Sequence, residues 1–214
     1  MVNKADKVYD NKYLKVYNLD IGEGRGYMDA SRRDSDELVA TMDEAAYKNM
    51  LPDAVSMCMI VNVKGKEPRL YLTKEFRYAA NHYLLSPPAG LIDKEDRALP
   101  REEAVIVTAK REAFEETGVE ITDKDTVRIV SPLLFSSPGI MDESNAIALV
   151  VLNRDEEVRF THDEAVGLES FGDILLVDRK EAKELLLKGT DGNGGFYSVY
   201  TWIALSVFVS GLWE

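Results

Sequence analysis

The chain has one cysteine, Cys58, among 214 residues, which excludes any disulfide within it. Cys58 lies inside an apolar run and reads as a buried thiol. Histidine is almost as scarce, and His82 and His162 stand in no ligand pattern, so both read as incidental. Basic residues are in deficit, 26 Lys and Arg against 38 Asp and Glu, for a formal charge of −12. That balance speaks against sequence-independent binding to nucleic acid or to an anionic membrane, since both require basic patches. No uninterrupted apolar run is long enough to cross a bilayer. The longest, Phe196 to Trp213, is broken by Ser198, Tyr200, Thr201, Ser206 and Ser210, and reads as a core helix or a dimer-face helix. The first residues lack the apolar core of a signal peptide, which predicts a cytoplasmic address. No internal repeat is present.

What remains is an ordinary globular composition, 45% hydrophobic, of a length that holds one core with a small appended element. Residues 7–18 alternate as a strand with a turn at Asp10-Asn11. Gly22, Gly24 and Gly26 mark a hairpin loop, and Arg25 to Ser31 reads as a second strand. Ala54 to Val63 is a continuous apolar run and reads as a buried central strand, paired through the turn at 64–68 with a strand from Arg69 to Phe76. Pro100 opens a helix over 101–117. Val127 to Phe135, Asn145 to Leu152 and Ile174 to Val177 read as strands. Asp155 to Ser170 reads as an acidic surface loop, and residues 180–188 as a helix ending near Gly189. The pattern is α+β, with N-terminal strands and a linker over 1–50 preceding a main domain over 51–214.

One stretch carries chemistry. In Arg111-Glu-Ala-Phe-Glu-Glu-Thr-Gly-Val119, helical spacing places Glu112, Glu115 and Glu116 on one face, where three like charges repel. A solvated helix face is the plain reading. The alternative is a hard divalent cation, which such oxygens bind and which neutralises the cluster. Arg111 can pin one carboxylate in a bidentate pair, and Gly118 supplies the left-handed residue that ends the helix.

This stretch resembles the core of the Nudix box, Arg-Glu-apolar-x-Glu-Glu-x-Gly-apolar, with every specified position filled. Pro88-Ala89-Gly90-Leu91-Ile92-Asp93 is similar to the opening of that box in ADP-ribose pyrophosphatases, and Ser137 to Glu143 resembles their proline-glycine-acid loop. The resemblance implies a Nudix α/β/α sandwich with a mixed sheet and a small antiparallel N-terminal sheet, which would serve dimerisation and substrate contact. It also implies Mg²⁺-dependent hydrolysis (Mn²⁺ being possible) of ADP-ribose to AMP and ribose 5-phosphate, by a homodimer. Two alternatives stay open: another nucleotide substrate such as a dinucleotide, FAD or a nucleotide sugar, and a non-catalytic nucleotide-sensing module.

By the same resemblance, Glu112, Glu115, Glu116 and the Ala89 carbonyl are the expected metal ligands, and Glu112 counts among the catalytic residues. The general base is expected in the acidic loop, at Glu164 or Glu169 with Asp163 behind them. Arg33, Arg77, Gly90, Gly139 and Glu143 are the expected substrate contacts, although Arg33 and Arg77 also read as surface charges. The front of the box departs from the pattern. Glu103 has the required distance to Arg111, but the glycine position six before it is Arg97, and counting forward from Gly90 leaves about seven extra residues. At 100° per residue Glu103 falls on the helix face opposite Glu112, so the expectation is that Glu95 or Asp96 takes the acidic role instead.

Overall fold

The computed structural model describes residues 2–165 and 169–214, and the chain divides into two compact units. The smaller comprises Met1–Asp53 and Leu133–Asn145. Within it β1 (Lys4–Asp10), β2 (Lys15–Asp20) and β3 (Gly26–Ser31) form an antiparallel sheet in that order. The first turn is set by Asn11, whose side-chain oxygen accepts from the amides of Tyr13 and Leu14, both at 2.8 Å. The expected turn therefore falls at residues 11–14 and separates two paired strands. The second turn needs positive φ at Gly22 (87°) and Gly24 (68°), which glycine adopts without strain. Strand alternation points Tyr17 and Leu19 inward to meet Leu38. A short helix α1 (Glu44–Asn49), capped by the Asp43 side chain on the Ala46 amide, was not legible in the pattern.

The larger unit comprises Ala54–Pro132 and Ala146–Glu214. Its elements are β4 (Ala54–Val63), β5 (Arg69–Arg77), β6 (His82–Ser86), β7 (Ala89–Leu91), α2 (Arg101–Thr117), β8 (Thr126–Phe135), β9 (Ser144–Arg154), β10 (Phe171–Val177), α3 (Arg179–Lys188) and α4 (Val199–Ser210), β8 and β9 each running across the boundary between units. The mixed sheet runs β10-β5-β4-β9-β8, with β6 paired to β5 and β7 to β4. The apolar run of β4 is buried almost throughout, as a strand covered on both faces must be. On β5 the period of two sends Leu70 and Leu72 to a core shared with Ala182 of α3 and Ala204, Leu205, Val207 and Phe208 of α4. Tyr71, Thr73 and Glu75 therefore point to the other face. Helix α2 packs on β4 and β7. The unit is an α+β sandwich of helix, sheet and helix.

Some details go beyond the sequence reading. β6 and β7 are strands in a stretch to which the sequence reading assigns no element, because Pro87 and Pro88 between them mask the pattern. In the C-terminal segment Phe208 is a core residue. Tyr197, Tyr200 and Trp213 are half-buried, while Trp202 is exposed. Among the described residues no helix is long and apolar enough to cross a membrane. Residues 166–168 of the expected acidic loop lie outside the described residues.

The smaller unit is held by a buried ion pair. Arg33 donates through Nη2 to the Asp53 carboxylate at 3.0 Å and to the Leu51 carbonyl at 3.1 Å, and its Nε stands 3.8 Å from Asp142. Asp53 also accepts from the Ser144 amide and hydroxyl at 2.9 and 3.1 Å. Arg33 and Asp53 are 6% and 1% exposed, so removing one partner strands a charge away from water. Arg33→Met is expected to cost about 3 kcal/mol or more, the scale for breaking a buried pair. Urea unfolding checks this, and an unchanged midpoint contradicts it.

Candidate active site

The last two turns of α2 carry Glu112, Glu115 and Glu116 at spacings of three and four, hence on neighbouring positions of one face. The helix begins after Pro100 and ends at Gly118, whose φ of 69° is the left-handed C-terminal stop. That face is turned inward: Glu112 is 7% and Glu116 3% exposed, whereas Glu115 remains partly open. Strand β7 is the surface they meet. The Ala89 amide donates to both Glu116 oxygens, at 3.2 and 3.4 Å. A Cβ on Gly90 would lie 1.8 Å from the Glu112 carboxyl carbon, so any larger residue there would displace this carboxylate from its present place.

Arg111 spans the cluster. Its Nη1 donates to Glu112 at 2.7 Å and to Glu115 at 3.2 Å, its Nη2 donates to the Leu91 carbonyl at 2.9 Å, and its Nε lies 3.1 Å from Asp93. One guanidinium does not balance this many acids. Burial pushes the Glu112 carboxyl up to about 7 against the lowering influence of Arg111. Burial, then the charge of Glu169, raises Glu116 well above its ordinary value, with Glu75 and Glu112 adding to it. Glu75, on the face of β5 turned toward α2, is raised by burial and opposed by Arg77, its ion-pair partner at 2.6 Å. Glu169 is itself raised by burial, with Arg77 opposing and Glu115 adding.

The donor set is therefore all oxygen, densely anionic and partly desolvated, which fits a hard divalent cation rather than a soft one. Among the described residues no three acidic, histidine or cysteine groups close on a single point, and Arg111 occupies oxygens of both Glu112 and Glu115.

The other expected residues fall as follows. Arg77 is half-exposed at the end of β5, and Glu164 is exposed. Glu169 is the loop carboxylate whose charge acts on Glu112, Glu116 and Glu75. Glu103 is exposed on the outer side of α2, Glu95 is exposed, and Asp96 is half-buried in a short turn of 3-10 helix. The acid of that loop that meets the cluster is Asp93, through Arg111. In the smaller unit Gly139 is exposed and its carbonyl accepts from the Tyr27 hydroxyl, while Glu143 accepts from Arg32 Nε at 2.7 Å. Arg33 is turned inward, as described above.

Sequence reasoning missed three residues here. Glu75 had a signal, since it sits two before Arg77 on a strand and so shares its side. Asp93 lay within a quoted motif. His162 had none, because its partners are the Glu116 carbonyl and Thr73, far off in the chain.

The family model described as NUDIX domain matches residues 50–197 of the chain. A search of curated proteins finds no match.

The charge imbalance has a pH signature. A carboxyl held above its unfolded value binds its proton more tightly in the folded state, so its favourable contribution is complete below about 4.5 and is lost as pH rises through about 7. In chelator, urea midpoints are expected to fall between pH 5 and pH 8, with Glu116 acting in the same sense as Glu112. Glu112→Gln is expected to flatten this decline. Equal slopes in the two proteins contradict the assignment.

Proposed function

The chain belongs to the Nudix family, and on that premise we propose that it is an ADP-ribose pyrophosphatase, cleaving its substrate to AMP and ribose 5-phosphate. The family supports hydrolysis of nucleoside diphosphate derivatives in general. The observation that carries the reading is the buried carboxylate face of α2 closed against β7, an arrangement that is unfavourable unless it is charge-compensated. Preference for ADP-ribose rests on the resemblance of Pro88 to Asp93 and of Ser137 to Glu143.

In this reading Glu112, Glu115, Glu116 and the Ala89 carbonyl would hold Mg²⁺ or Mn²⁺. Such a cation, when bound, neutralises the pyrophosphate oxygens and lowers the pKa of water. Arg111 fixes the orientation of Glu112 and Glu115 and restrains the loop through Leu91 and Asp93. Arg77, kept in place by Glu75, offers its guanidinium to a phosphate oxygen. Glu169, on the surface beside the cluster, is the general base, because its charge is felt by Glu116 and partial desolvation holds its carboxyl above the ordinary value. It takes a proton as the water oxygen attacks one phosphorus. The bridging P–O bond breaks, and the second phosphate leaves with the electron pair.

A panel of nucleoside diphosphate compounds with Mg²⁺, read by the monophosphates released, tests this. ADP-ribose is expected to be the preferred substrate. Better turnover of a dinucleotide or FAD reassigns the substrate, and no hydrolysis of any compound overturns the activity. Glu116→Gln is expected to keep the fold by circular dichroism while kcat falls at least about a hundredfold, the scale for losing a key electrostatic group.

We propose further that the chain is a homodimer in solution. The small sheet exposes Val8, Tyr9, Tyr13 and Met28, and the C-terminal segment exposes Phe196, Val199, Trp202 and Leu212, more apolar surface than scattered side chains account for. Light scattering at micromolar concentration is expected to give twice the chain mass of 24.0 kDa, and a monomer mass contradicts it.

A further inference from the structure

The carboxyl end of α2 is secured from outside the helix. The final carbonyls of any helix lack intrahelical partners. Here the Phe114 carbonyl is taken by the Gly118 amide, the Thr117 carbonyl by the Thr161 amide at 3.0 Å, and the Glu116 carbonyl by His162 Nδ1 at 2.7 Å. A carbonyl only accepts, so Nδ1 carries a proton. In the neutral ring Nε2 is then an acceptor, and the Thr73 hydroxyl at 3.2 Å donates to it. The ring also stacks on Phe171, with centroids 4.5 Å apart and planes 16° apart. One residue earlier but one, Phe160 packs on Tyr71, 4.9 Å between centroids. Residues 160–162 are thus fastened along the face of β5 that also carries Glu75.

We infer that His162 is a positioning residue for the carboxylate cluster, an inference that rests on the cation-dependent reading above. It ties the main chain of Glu116, the most deeply buried carboxylate of the three, to strand β5 through Thr73 and to β10 through Phe171. The Glu116 side chain meets the Ala89 amide from the same residue. A helix end free to shift by a fraction of an ångström would move those oxygens relative to Glu112 and β7. The two ring nitrogens have separable duties: Nδ1 holds the Glu116 carbonyl, and Nε2 keeps the ring in register with Thr73.

Asparagine can reproduce the Nδ1 donor, whereas phenylalanine keeps the stacking and removes both hydrogen bonds. The readout is binding of Mn²⁺ alone by calorimetry, alongside steady-state kinetics with Mg²⁺ and thermal melting. His162→Phe is expected to weaken Mn²⁺ binding about tenfold or more, the scale for losing an outer hydrogen-bond partner of a metal site. Its kcat is expected to fall while KM for the nucleotide holds, and His162→Asn is expected to recover most of both losses. Unchanged Mn²⁺ affinity in His162→Phe overturns the inference, as does a loss that His162→Asn fails to recover. Wild-type protein that binds Mn²⁺ but hydrolyses nothing overturns the proposed activity, and the affinity series still decides the role of His162. Wild-type protein that binds no Mn²⁺ overturns both.

Discussion

The burial of two carboxylates at the end of α2 is the constraint on which the larger unit depends. Taking an ionised carboxylate out of water costs several kcal/mol unless opposite charge or hydrogen bonds compensate it. Among the described residues, Glu112 and Glu116 are met by one guanidinium and one backbone amide. The raised proton affinity of both residues is the direct expression of that shortfall. A fold selected only for stability would place apolar side chains on this face, as α2 itself does at Ala104, Val105, Ala109 and Ala113.

The neighbouring elements are arranged around that shortfall. Gly90 removes the one Cβ that would collide with Glu112, and the pairing of β7 with β4 aligns the Ala89 amide with Glu116. Strand β5 divides its labour by alternation, its even residues building the core with α3 and α4 and its odd residues carrying Thr73, Glu75 and Arg77 toward the acidic cluster. Glu75 adds a further buried acid, with Arg77 set against it. The acidic cluster is thus larger than the three-glutamate motif: among the described residues it holds six carboxylates with two arginines, Glu75, Glu169 and Asp93 joining the three of α2.

The smaller unit compensates one of its buried acids and leaves two others short. Asp53 is paired with Arg33 and accepts from both donors of Ser144, so segments distant in the chain are joined by one buried carboxylate, whereas burial raises both Asp142 and Asp29, the latter to about 6 with the charge of Asp142 adding to it. The contrast between Asp53 and Glu116 is one of compensation: an arginine and two serine donors face the first, one backbone amide the second.

Local physics decided what the sequence by itself could determine. The apolar run of β4, the proline before α2 and the glycine after it announce their elements because each depends on a residue's own conformational preference or on periodicity. The spacing of Glu112, Glu115 and Glu116 is likewise a property of any helix, so the acidic face was legible, as was the outward direction of Glu103. Tertiary structure alone decided which acids meet. Asp93, and neither Glu95 nor Asp96, reaches the cluster because Arg111 folds back on the loop. Arg33 turned inward because Asp53 and Leu51 are there to receive it. His162 has a role only because a carbonyl at 116 and a hydroxyl at 73 are brought to its two nitrogens, and no residue pattern along the chain encodes a partner that is backbone.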